Sequence, residues 1–595
     1  MPSIMRFFLA ATATAVLALT AASPAAQAAE PPTSIGRGGA ATTVDRLATE
    51  AAIATLRRGG NATDAAVTAA AVLGVTEPFS CGIGGGGFMV SYDAQARAVS
   101  TNDHRERAPQ AMGPDAFFEN GTALEFNDAR YSGLSVGVPG TVLGWSRVLR
   151  RDGTISLAEA LAPAIRVARE GFVVDETFAA QTQENIDYFD DVPATAALYL
   201  DPDGTPRDVG TVFRNPDLAR TYELIARRGA TRGFYDGPIA QAIVNTVRKP
   251  PVGPAANHVF RPGVMDAGDL RSYTAPQRAP VRSSYRGLEI FGMGPPSSGA
   301  STVAEALNIL EGHDLGALPH ADALHLELEA ARLAFADRGA YVADPDFYDV
   351  PLAGLISKSF AATRRPLIGQ TAAASPVAPG DPYPFGGGTG AGEASVTSTR
   401  AGTTTHLTVA DKHGDVVSYT FTIESTGGAG LVVPGYGFLL NNELTDFNYN
   451  STTHPNRVTG GKRPRSSMAP TIVLRDGRPW LAVGSPGGST IITTVLGLLV
   501  ERIDLGSSLP AAIAAPRASE RNTPATTAEP AFIASPEAAA LGARGHAFTI
   551  APLTGGAPEI GAATGVEFLG RRALLAAAEP VRRGGGSALV VRPAR

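Results

Sequence analysis

The chain has few cysteines, few charged residues and no excess of basic ones, and each shortage excludes a class of protein. Cys81 is the only cysteine among 595 residues, so a disulfide within the chain and a cysteine-based zinc site are both excluded. Charged residues make up 18% of the chain and the formal net charge is −6, which does not favour a nucleic-acid partner. The sequence shows no internal repeat of about 20 to 50 residues, so a solenoid or a propeller is not expected. What remains is a 44% hydrophobic chain with 67 glycines, typical of a compact, turn-rich α/β protein.

The first 28 residues are predicted to be a secretory signal peptide. Arg6 supplies a positive start, residues 7–22 are apolar, and Ala26-Gln27-Ala28 fits the small-x-small cleavage pattern. The apolar run is shorter than the roughly 20 residues of a spanning helix, and no later segment is long and apolar enough to span a membrane. We therefore expect cleavage after Ala28 and an exported protein, periplasmic or extracellular.

Three apparent motifs indicate no cofactor or metal. The loop Gly82–Gly87 matches G-x-G-x-x-G, but a helix is predicted before it and a strand after it, the reverse of a dinucleotide site. His320 and His325 lie on a helix predicted from Pro319 to about Tyr341, and five positions separate their rings by about 140° around its axis. Cys81 has no obvious base beside it and is predicted to be a small buried residue.

Composition changes sharply ahead of the last third of the chain. Residues 370–403 are dominated by Ala, Gly, Pro, Ser and Thr, which predicts a flexible linker. Two alternating runs follow, 403–409 and 416–423, joined by a turn that contains Gly414, and they predict a β-hairpin. A linker that leads into a central strand is expected where a precursor is cut and the new N-terminus becomes reactive.

Seven distinctive blocks follow one another along the chain: GIGGGGFM at Gly82, DHRERAP at Asp103, GVPGTV at Gly137, TTHLTVAD at Thr404, NNELTDF at Asn441, KRPRSSMAPTIV at Lys462 and GSPGGSTIITTVL at Gly484. In this order they resemble the γ-glutamyltranspeptidases (glutathione hydrolases), members of the N-terminal nucleophile hydrolases, and the resemblance runs from near Thr43 to Gly585. It implies an α/β (α+β) fold, a four-layer αββα sandwich. It also implies a precursor that cuts itself into a large subunit, 29–403, and a small subunit, 404–595, which stay together as a heterodimer.

The resemblance makes Thr404 the nucleophile, because the triplet Thr-Thr-His aligns on His406. Since Thr403 is also a threonine, a shift of the cleavage by one residue stays open. Once cut, Thr404 carries an α-amino group whose ordinary pKa, near 7.7–8.0, lets it act as the base for its own hydroxyl. Thr422 resembles the family's second threonine, whose hydroxyl contacts the nucleophile.

A γ-glutamyl donor presents an α-carboxylate and an α-ammonium, and both need partners when they lose water. By resemblance, the carboxylate is assigned to a guanidinium and two hydroxyls, those of Arg105, Ser466 and Ser467. The ammonium is assigned to three acidic side chains, those of Glu424, Glu443 and Asp446. The oxyanion is assigned to the backbone N–H groups of Gly487 and Gly488.

Taken singly, these residues have simpler interpretations. Glu443 and Asp446 could cap a turn, the two serines could begin a strand, and Arg105 could pair with Asp103 or Glu106. The chain also departs from the commonest pattern, because many members have Asn and Gln where it has Glu424 and Glu443. The segment 447–461 is short where some members carry a lid over the site.

The function implied is cleavage of γ-glutamyl amide bonds through a γ-glutamyl-threonine ester, with transfer of the acyl group to water, an amino acid or a peptide. No metal or organic cofactor is implied. One alternative keeps the scaffold and changes the donor, as in a glutaryl-cephalosporin acylase or a poly-γ-glutamate hydrolase. Another is an uncut homologue that acts as a binding protein.

Overall fold

The computed structural model describes residues 30–386, 392–395, 402–570 and 572–594. The predicted signal peptide lies outside the described residues, and so do two stretches of the predicted linker, 387–391 and 396–401. Within the described part, no helix is long and apolar enough to cross a membrane.

A twelve-stranded antiparallel sheet system forms the centre of the described structure. Its strands are β1 (Thr33–Thr43), β2 (Gly86–Asp93), β3 (Ala98–Asp103), β4 (Val281–Tyr285), β5 (Leu288–Gly292), β6 (Thr405–Asp411), β7 (Val416–Thr422), β8 (Thr471–Arg475), β9 (Arg478–Gly484), β10 (Thr564–Phe568), β11 (Leu574–Ala578) and β12 (Ser587–Pro593).

The long strand β1 joins two sheets. Its second half pairs with β6, which continues the order β6-β7-β2-β3, and its first half pairs with β11, which continues β11-β10-β9-β8-β5-β4. Strand β12 pairs along the other edge of β1. The two sheets face each other, because Ser418 Oγ of β7 donates to the carbonyl of Val483 in β9 (3.2 Å) and accepts the N–H of Thr471 in β8 (3.1 Å).

Nineteen α-helices surround the sheets in the described residues. They are α1 (Arg46–Arg57), α2 (Ala62–Thr76), α3 (Phe126–Arg130), α4 (Thr141–Asp152), α5 (Leu157–Glu170), α6 (Glu176–Gln183), α7 (Ile186–Phe189), α8 (Pro193–Tyr199), α9 (Pro216–Ala230), α10 (Pro238–Arg248), α11 (Ala267–Arg271), α12 (Gly299–Leu310), α13 (His320–Tyr341), α14 (Leu352–Leu355), α15 (Lys358–Arg364), α16 (Thr490–Ile503), α17 (Leu509–Ala514), α18 (Pro530–Ile533) and α19 (Pro536–Ala543).

Short elements complete the chain. Two-stranded ribbons pair Phe118–Glu119 with Thr122–Ala123, Phe172–Val173 with Val212–Phe213, and Leu553–Thr554 with Ala557–Pro558. A three-stranded sheet contains Ala518–Ser519, Thr526–Ala528 and Phe548–Ile550. Single turns of 3₁₀ helix cover Leu315–Ala317, Arg365–Leu367, Tyr383–Phe385, Glu443–Asp446 and Arg582–Gly584, and Thr231–Tyr235 is a π-helical turn.

Helices cover both outer faces of the paired sheets, which confirms the predicted four-layer αββα sandwich. One large apolar cluster packs α1, α2, α4, α5, α9 and α10 on the outer face of β6 and β7. A second packs α12, α13 and α16 with β5, β8 and β9 and continues between the sheets. All fifteen residues of α2 are buried, because this helix lies between the sheet and other helices.

The sequence patterns misplaced two strand regions. Small and apolar residues at helical spacing predict a helix from Thr43 to Arg58, but Thr43 ends β1, and α1 begins only after Asp45, whose carboxylate accepts the N–H of Ala48 as an N-cap. The segment from about Gly140 to Leu367 is predicted to be mostly helical, but it also contains the short ribbon of Phe172–Val173 with Val212–Phe213 and the edge hairpin of β4 and β5. That hairpin extends the sheet by pairing with β8, about 180 residues further along the chain.

The first half of the predicted linker differs from a free flexible segment. Residues 371–386 have little regular structure, but the N–H of Ala372 donates to the carbonyl of Arg544 (2.9 Å) and the N–H of Val377 to Asn522 Oδ1 (2.7 Å). Tyr341 Oη donates to the carbonyl of Gly380 (2.7 Å). These bonds compensate for the missing helix or strand pairing and hold the segment on the body of the protein.

Candidate active site

Thr404 directly precedes β6, at the end of a fully buried hairpin. The register of β6 and β7 places Thr405 opposite Phe421, so Thr404 and Thr422 are neighbours. Every residue of both strands is buried, which fixes the backbone on either side. The hairpin therefore holds the two threonines that the sequence singled out side by side.

The hydroxyl of Thr404 lies against the peptide group that it is predicted to attack. Its Oγ1 is 2.5 Å from the carbonyl oxygen of Thr403 and 3.2 Å from Thr422 Oγ1. Thr422 Oγ1 donates to the same carbonyl oxygen (2.8 Å) and accepts the backbone N–H of Glu424 (2.8 Å). A hydrogen bond to that oxygen stabilises the negative charge that it gains when its carbon is attacked.

His406, which marks the predicted cleavage block, is not placed to act as the base. Its Nδ1 contacts Thr420 Oγ1 at 2.8 Å and its Nε2 contacts Thr408 Oγ1 at 3.1 Å. Burial lowers the pKa of His406 to about 3, so the ring is neutral. The proton of Thr404 must go elsewhere, which agrees with the use of its own α-amine.

Arg583 anchors Thr404, and no pattern in the sequence pointed to it. Nη1 donates to the carbonyl of Thr404 (2.6 Å), while Nη2 donates to Ser80 Oγ and to Glu77 Oε2 (3.2 Å). Arg583 adopts a left-handed backbone conformation with φ 55°, which is uncommon for a residue with a side chain. Burial raises the pKa of Glu77 to about 7 although Arg583 opposes that shift. The contact joins residues 179 positions apart, so only the place of Arg583 close to Gly585, where the resemblance ends, could have drawn attention to it.

The two glycines after β9 line two pockets, and Gly402 lines both of them. Both have positive φ, 132° for Gly487 and 56° for Gly488, conformations that favour glycine. A Cβ on Gly488 would come within 3.0 Å of the Gly402 nitrogen. Gly488 lines the main cleft, whereas Gly487 lines a smaller neighbouring pocket. In the uncut chain, the backbone of Gly402 therefore lies directly against Gly488.

A cleft open to solvent, about 1850 Å³ including its mouth, collects nine of the ten predicted site residues. These are Arg105, Thr404, Thr422, Glu424, Glu443, Asp446, Ser466, Ser467 and Gly488. Residues 447–450 form part of one wall, and residues 123–126 line the cleft as well. The short segment after Asp446 thus contributes to the wall and leaves the mouth open.

Arg105 is not a free guanidinium in this structure. It is 1% exposed, its Nη1 pairs with Glu443, and its Nη2 donates to Asp446 Oδ2 (2.5 Å). The simpler alternative, an ion pair of Arg105 with Asp103 or Glu106, is largely absent. From Arg105, Asp103 accepts only the backbone N–H (2.9 Å), and the guanidinium comes no closer to Glu106 than 3.9 Å. A buried cation needs counter-charges when no substrate is present, and these carboxylates supply them.

Glu424 is the third acidic residue that lines the cleft, with Glu443 and Asp446. Its φ is 81°, and its Oε2 accepts hydrogen bonds from Asn442 Nδ2 and from Ser425 Oγ (2.5 Å). Burial, with the charge of Asp446 adding to it, raises the pKa of Glu424 to about 7. Glu443 is fully buried, and within the described residues its Oε2 has no hydrogen-bond partner. The cleft thus contains acidic groups whose negative charge is only partly compensated.

The serine pair forms the wall beside α13. Ser467 Oγ accepts a hydrogen bond from Arg338 Nη2 (2.7 Å), and Ser466 Oγ accepts the N–H of Met468 (3.2 Å). Ser466 forms only an isolated bridge with Ser297, so the two serines do not begin a strand. Arg338 and its neighbour Arg465 also line the cleft, and the sequence analysis had given neither a role.

The cysteine and the two histidines set aside in the sequence do not line the cleft. Cys81 is buried, and burial raises the pKa of its thiol. His320 contacts Glu501 at the surface (3.2 Å), and His325 is buried with its Nδ1 2.8 Å from Nε2 of His546. Among the described residues, no group of His, Cys, Asp and Glu is arranged to hold a metal ion.

The four layers, with a threonine hydroxyl against the preceding carbonyl at the start of a central strand, define an N-terminal nucleophile hydrolase. The profile of the Gamma-glutamyltranspeptidase family matches residues 48–589, and the chain belongs to that family.

Three known proteins illustrate the similarity. Glutathione hydrolase proenzyme of Bacillus subtilis (strain 168) is 39% identical over 491 residues, 81% of either chain. Acylase ACY 1 proenzyme of Pseudomonas sp. (strain V22) is 38% identical over 534 residues, 88% of this chain and 89% of the relative. The crystal structure of cephalosporin acylase from Bacillus halodurans matches with a TM-score of 0.81 at 27% identity, covering 96% of this chain and 99% of that one.

Replacing Thr422 with valine is expected to slow self-cleavage by about 10²- to 10³-fold, because it removes the hydroxyl that donates to the Thr403 carbonyl and keeps the side-chain volume. Intact mass spectrometry of freshly purified protein over time gives the rate. Thr422→Ser, which retains the hydroxyl, is the matched control and should be cut at nearly the wild-type rate. Equal rates for the valine and serine variants would contradict this role.

Proposed function

We propose that this chain cuts itself between Thr403 and Thr404 and then transfers γ-glutamyl groups from glutathione-like donors to water, amino acids or peptides. The observation that carries the proposal is the contact of Thr404 Oγ1 with the Thr403 carbonyl, 2.5 Å, beside the donating hydroxyl of Thr422. The surrounding cleft offers the charges that a γ-glutamyl group needs.

Maturation uses the hydroxyl of Thr404 in place. Oγ1 attacks the carbonyl carbon of Thr403, the peptide C–N bond breaks, and the nitrogen of Thr404 takes the proton that Oγ1 loses. Water then hydrolyses the ester, leaving a carboxylate on Thr403 and a free amine and hydroxyl on Thr404. Departure of Gly402 and Thr403 exposes the N–H of Gly488 to the cleft, where it can stabilise an oxyanion.

Turnover repeats the same chemistry on the donor. The neutral α-amine of Thr404 takes the proton of Oγ1, which attacks the γ-carbonyl carbon of the donor. The amide bond breaks, the leaving amine receives that proton, and a γ-glutamyl ester remains on Thr404. Water or an amine attacks the ester carbonyl and restores the hydroxyl.

Donor binding requires the Arg105 ion pairs to be shared. The α-carboxylate would accept hydrogen bonds from Arg105 and the two serines. The carboxylates of Glu424, Glu443 and Asp446 would interact with the α-ammonium. Because the γ-glutamyl group of the donor brings one charge of each sign, this exchange keeps the buried charges balanced.

We further propose the subunit division 29–403 and 404–595, with both parts remaining associated. Support comes from the sheets, where β1 of the large part pairs with β6, β11 and β12 of the small part. Strands interleaved in this way cannot separate without exposing paired backbone groups. Export of the protein rests on the N-terminal sequence alone, and detection of a mature N-terminus at Ala29 in a periplasmic or culture fraction would test it.

A glutaryl acylase is the second candidate, favoured by the likeness to cephalosporin acylase across 96% of the chain. A glutaryl group lacks the α-ammonium, so it leaves Glu424, Glu443 and Asp446 without a cationic partner. Initial rates on γ-glutamyl-4-nitroanilide and glutaryl-4-nitroanilide separate the two functions. We expect the γ-glutamyl donor to be faster, and a preference for the glutaryl donor would establish the acylase instead.

The KM for a γ-glutamyl donor is expected to rise about tenfold as the pH falls from about 8 to 6. Below its raised pKa of about 7, Glu424 gains a proton and loses the charge that attracts the ammonium. The kcat falls over the same range because the α-amine of Thr404 becomes protonated. Steady-state kinetics of Glu424→Gln should lose the KM slope and keep the kcat slope. An unchanged KM slope in this variant would show that Glu424 is not the titrating group.

A further inference from the structure

The backbone of Arg105 is held at both of its polar groups. Its N–H donates to Asp103 Oδ1 (2.9 Å), and its carbonyl accepts the hydroxyl of Tyr273 (2.7 Å). Asp103 lies two residues before Arg105, whereas Tyr273 follows α11 and lies 168 residues further along the chain. All three residues are at most 5% exposed. The hydroxyl of Tyr273 thus makes a buried, long-range contact with the residue that is assigned to the donor α-carboxylate.

The ring of Tyr273 is packed so that its hydroxyl points at this carbonyl. It lies nearly parallel to the ring of Tyr235, with the centroids 5.8 Å apart and the planes at 4°. The guanidinium carbons of Arg107 and Arg463 lie 5.9 and 5.8 Å from its centroid. Burial raises the pKa of the Tyr273 hydroxyl, so the group keeps its proton and donates it to Arg105.

The block GVPGTV leaves room for the hydroxyl of Tyr273 at Gly140. A Cβ on Gly140 would lie 2.2 Å from Tyr273 Oη and 2.0 Å from the carbonyl oxygen of His104. A side chain at this position would therefore displace either the hydroxyl or the backbone that leads into Arg105. The N–H of Gly140 donates to the carbonyl of Gly85 (2.8 Å), which holds the glycine in place. The sequence gives this block no role, whereas the fold places it against the residue assigned to the donor carboxylate.

We propose that Tyr273 is a positioning residue for donor binding, which holds the backbone of Arg105 where its guanidinium meets the α-carboxylate. This inference rests on the proposed function, in which Arg105 binds that carboxylate. The guanidinium is aligned by two further carbonyls, since Nε donates to Pro464 (3.2 Å) and Nη2 to Arg465 (3.2 Å). A shift of the Arg105 backbone moves the guanidinium away from these carbonyls and from the donor. Tyr273 does not line the cleft, so it acts on the donor only through Arg105.

The experiment uses Tyr273→Phe, which removes the hydroxyl and keeps the ring. With γ-glutamyl-4-nitroanilide as donor, we expect KM to rise about five- to tenfold, because one hydrogen bond to a buried carbonyl is lost. The kcat and the rate of self-cleavage should stay within about twofold of the wild type, since both esters form at Thr404. An unchanged KM would overturn the proposal. Self-cleavage slowed as strongly as KM is raised would also overturn it, because it would show general damage to the fold.

Tyr235→Phe is the matched control, because the two tyrosines are stacked and equally buried. Tyr235 is 3% exposed, and its hydroxyl donates to the carbonyl of Pro139 (2.8 Å) and accepts the N–H of Leu143 (3.3 Å). These bonds hold the start of α4 and not the backbone of Arg105. The KM of this variant should equal that of the wild type, and an equal rise in both tyrosine variants would overturn the role of Tyr273.

A double variant tests whether Tyr273 acts through Arg105. Arg105→Met already lacks the guanidinium, so adding Tyr273→Phe should not lower kcat/KM further, and a further loss as large as in the single variant would overturn the proposal. If the wild type turns over no γ-glutamyl donor, the proposed function fails, and crystal structures of the wild type and Tyr273→Phe decide the positioning role. A displaced ion pair of Arg105 with Glu443 in the variant would support it, and an unchanged pair would overturn it.

Discussion

Replacing Thr404 with alanine is expected to leave the chain uncut and to reduce activity by about 10⁴-fold or more. The variant lacks the hydroxyl that lies 2.5 Å from the Thr403 carbonyl oxygen, so neither the ester of maturation nor that of turnover can form. The uncut chain also keeps Gly402 against Gly488, whose N–H group is proposed to stabilise the oxyanion. Intact mass spectrometry and hydrolysis of γ-glutamyl-4-nitroanilide measure the two losses.

Thr403→Ala is the matched control, because it changes the neighbouring threonine and leaves Thr404 intact. It should still be cut, with the same new N-terminus, and it thereby resolves the one-residue shift that the sequence leaves open. Cleavage of Thr404→Ala at the wild-type rate, or loss of cleavage in Thr403→Ala alone, would move the nucleophile to Thr403.

Replacing Arg105 with methionine is expected to cost about 3–5 kcal/mol in the free energy of unfolding, since it leaves a buried carboxylate unpaired. The cost falls mainly on Glu443, which is fully buried, because the side chain of Asp446 is 35% exposed and can be rehydrated. Denaturant unfolding in the uncut Thr404→Ala background measures this on a single chain. In the cleavable protein, kcat/KM for a γ-glutamyl donor should fall about 10²-fold, because the donor carboxylate loses its guanidinium.

The double variant Arg105→Met/Glu443→Met separates these two effects. Removing the unpaired carboxylate should restore most of the stability, while the activity stays low because no guanidinium returns. Stability unaffected by Arg105→Met would show that the ion pairs are not needed to balance charge. Activity restored in the double variant would remove Arg105 from carboxylate binding.

The family resemblance was sufficient for the fold class, and local patterns were sufficient for the hairpin that carries the proposed nucleophile. The alternating runs around Thr404 and Thr422 predict the hairpin, and the motif blocks predict nine residues that the structure brings into one cleft. Strand β1 was missed because its glycines and alanines have little strand propensity. It is formed by pairing with β6, β11 and β12, more than 350 residues away.

The charge pairing of the site could not be predicted from single motifs. Arg105 and Glu443 lie in separate blocks, each with a plausible role toward substrate, and only the fold places them in contact. Two other arginine contacts also depend on the fold. Arg583 donates to the Thr404 carbonyl, and Arg465 donates to the carbonyl of Arg338 near the end of α13. Each is a long side chain whose function depends on what lies at its tip, and that is set by tertiary packing.

Thr404 is proposed to become the N-terminal residue that carries the γ-glutamyl group. The most direct test mixes purified enzyme with a γ-glutamyl donor, quenches the reaction in acid within the first turnover, and locates the mass increase by peptide mapping. We expect two chains, one beginning Thr-Thr-His, with one γ-glutamyl group added to its first residue. A single uncut chain that turns over the donor, or a γ-glutamyl group on any other residue, would show that Thr404 is not the N-terminal nucleophile.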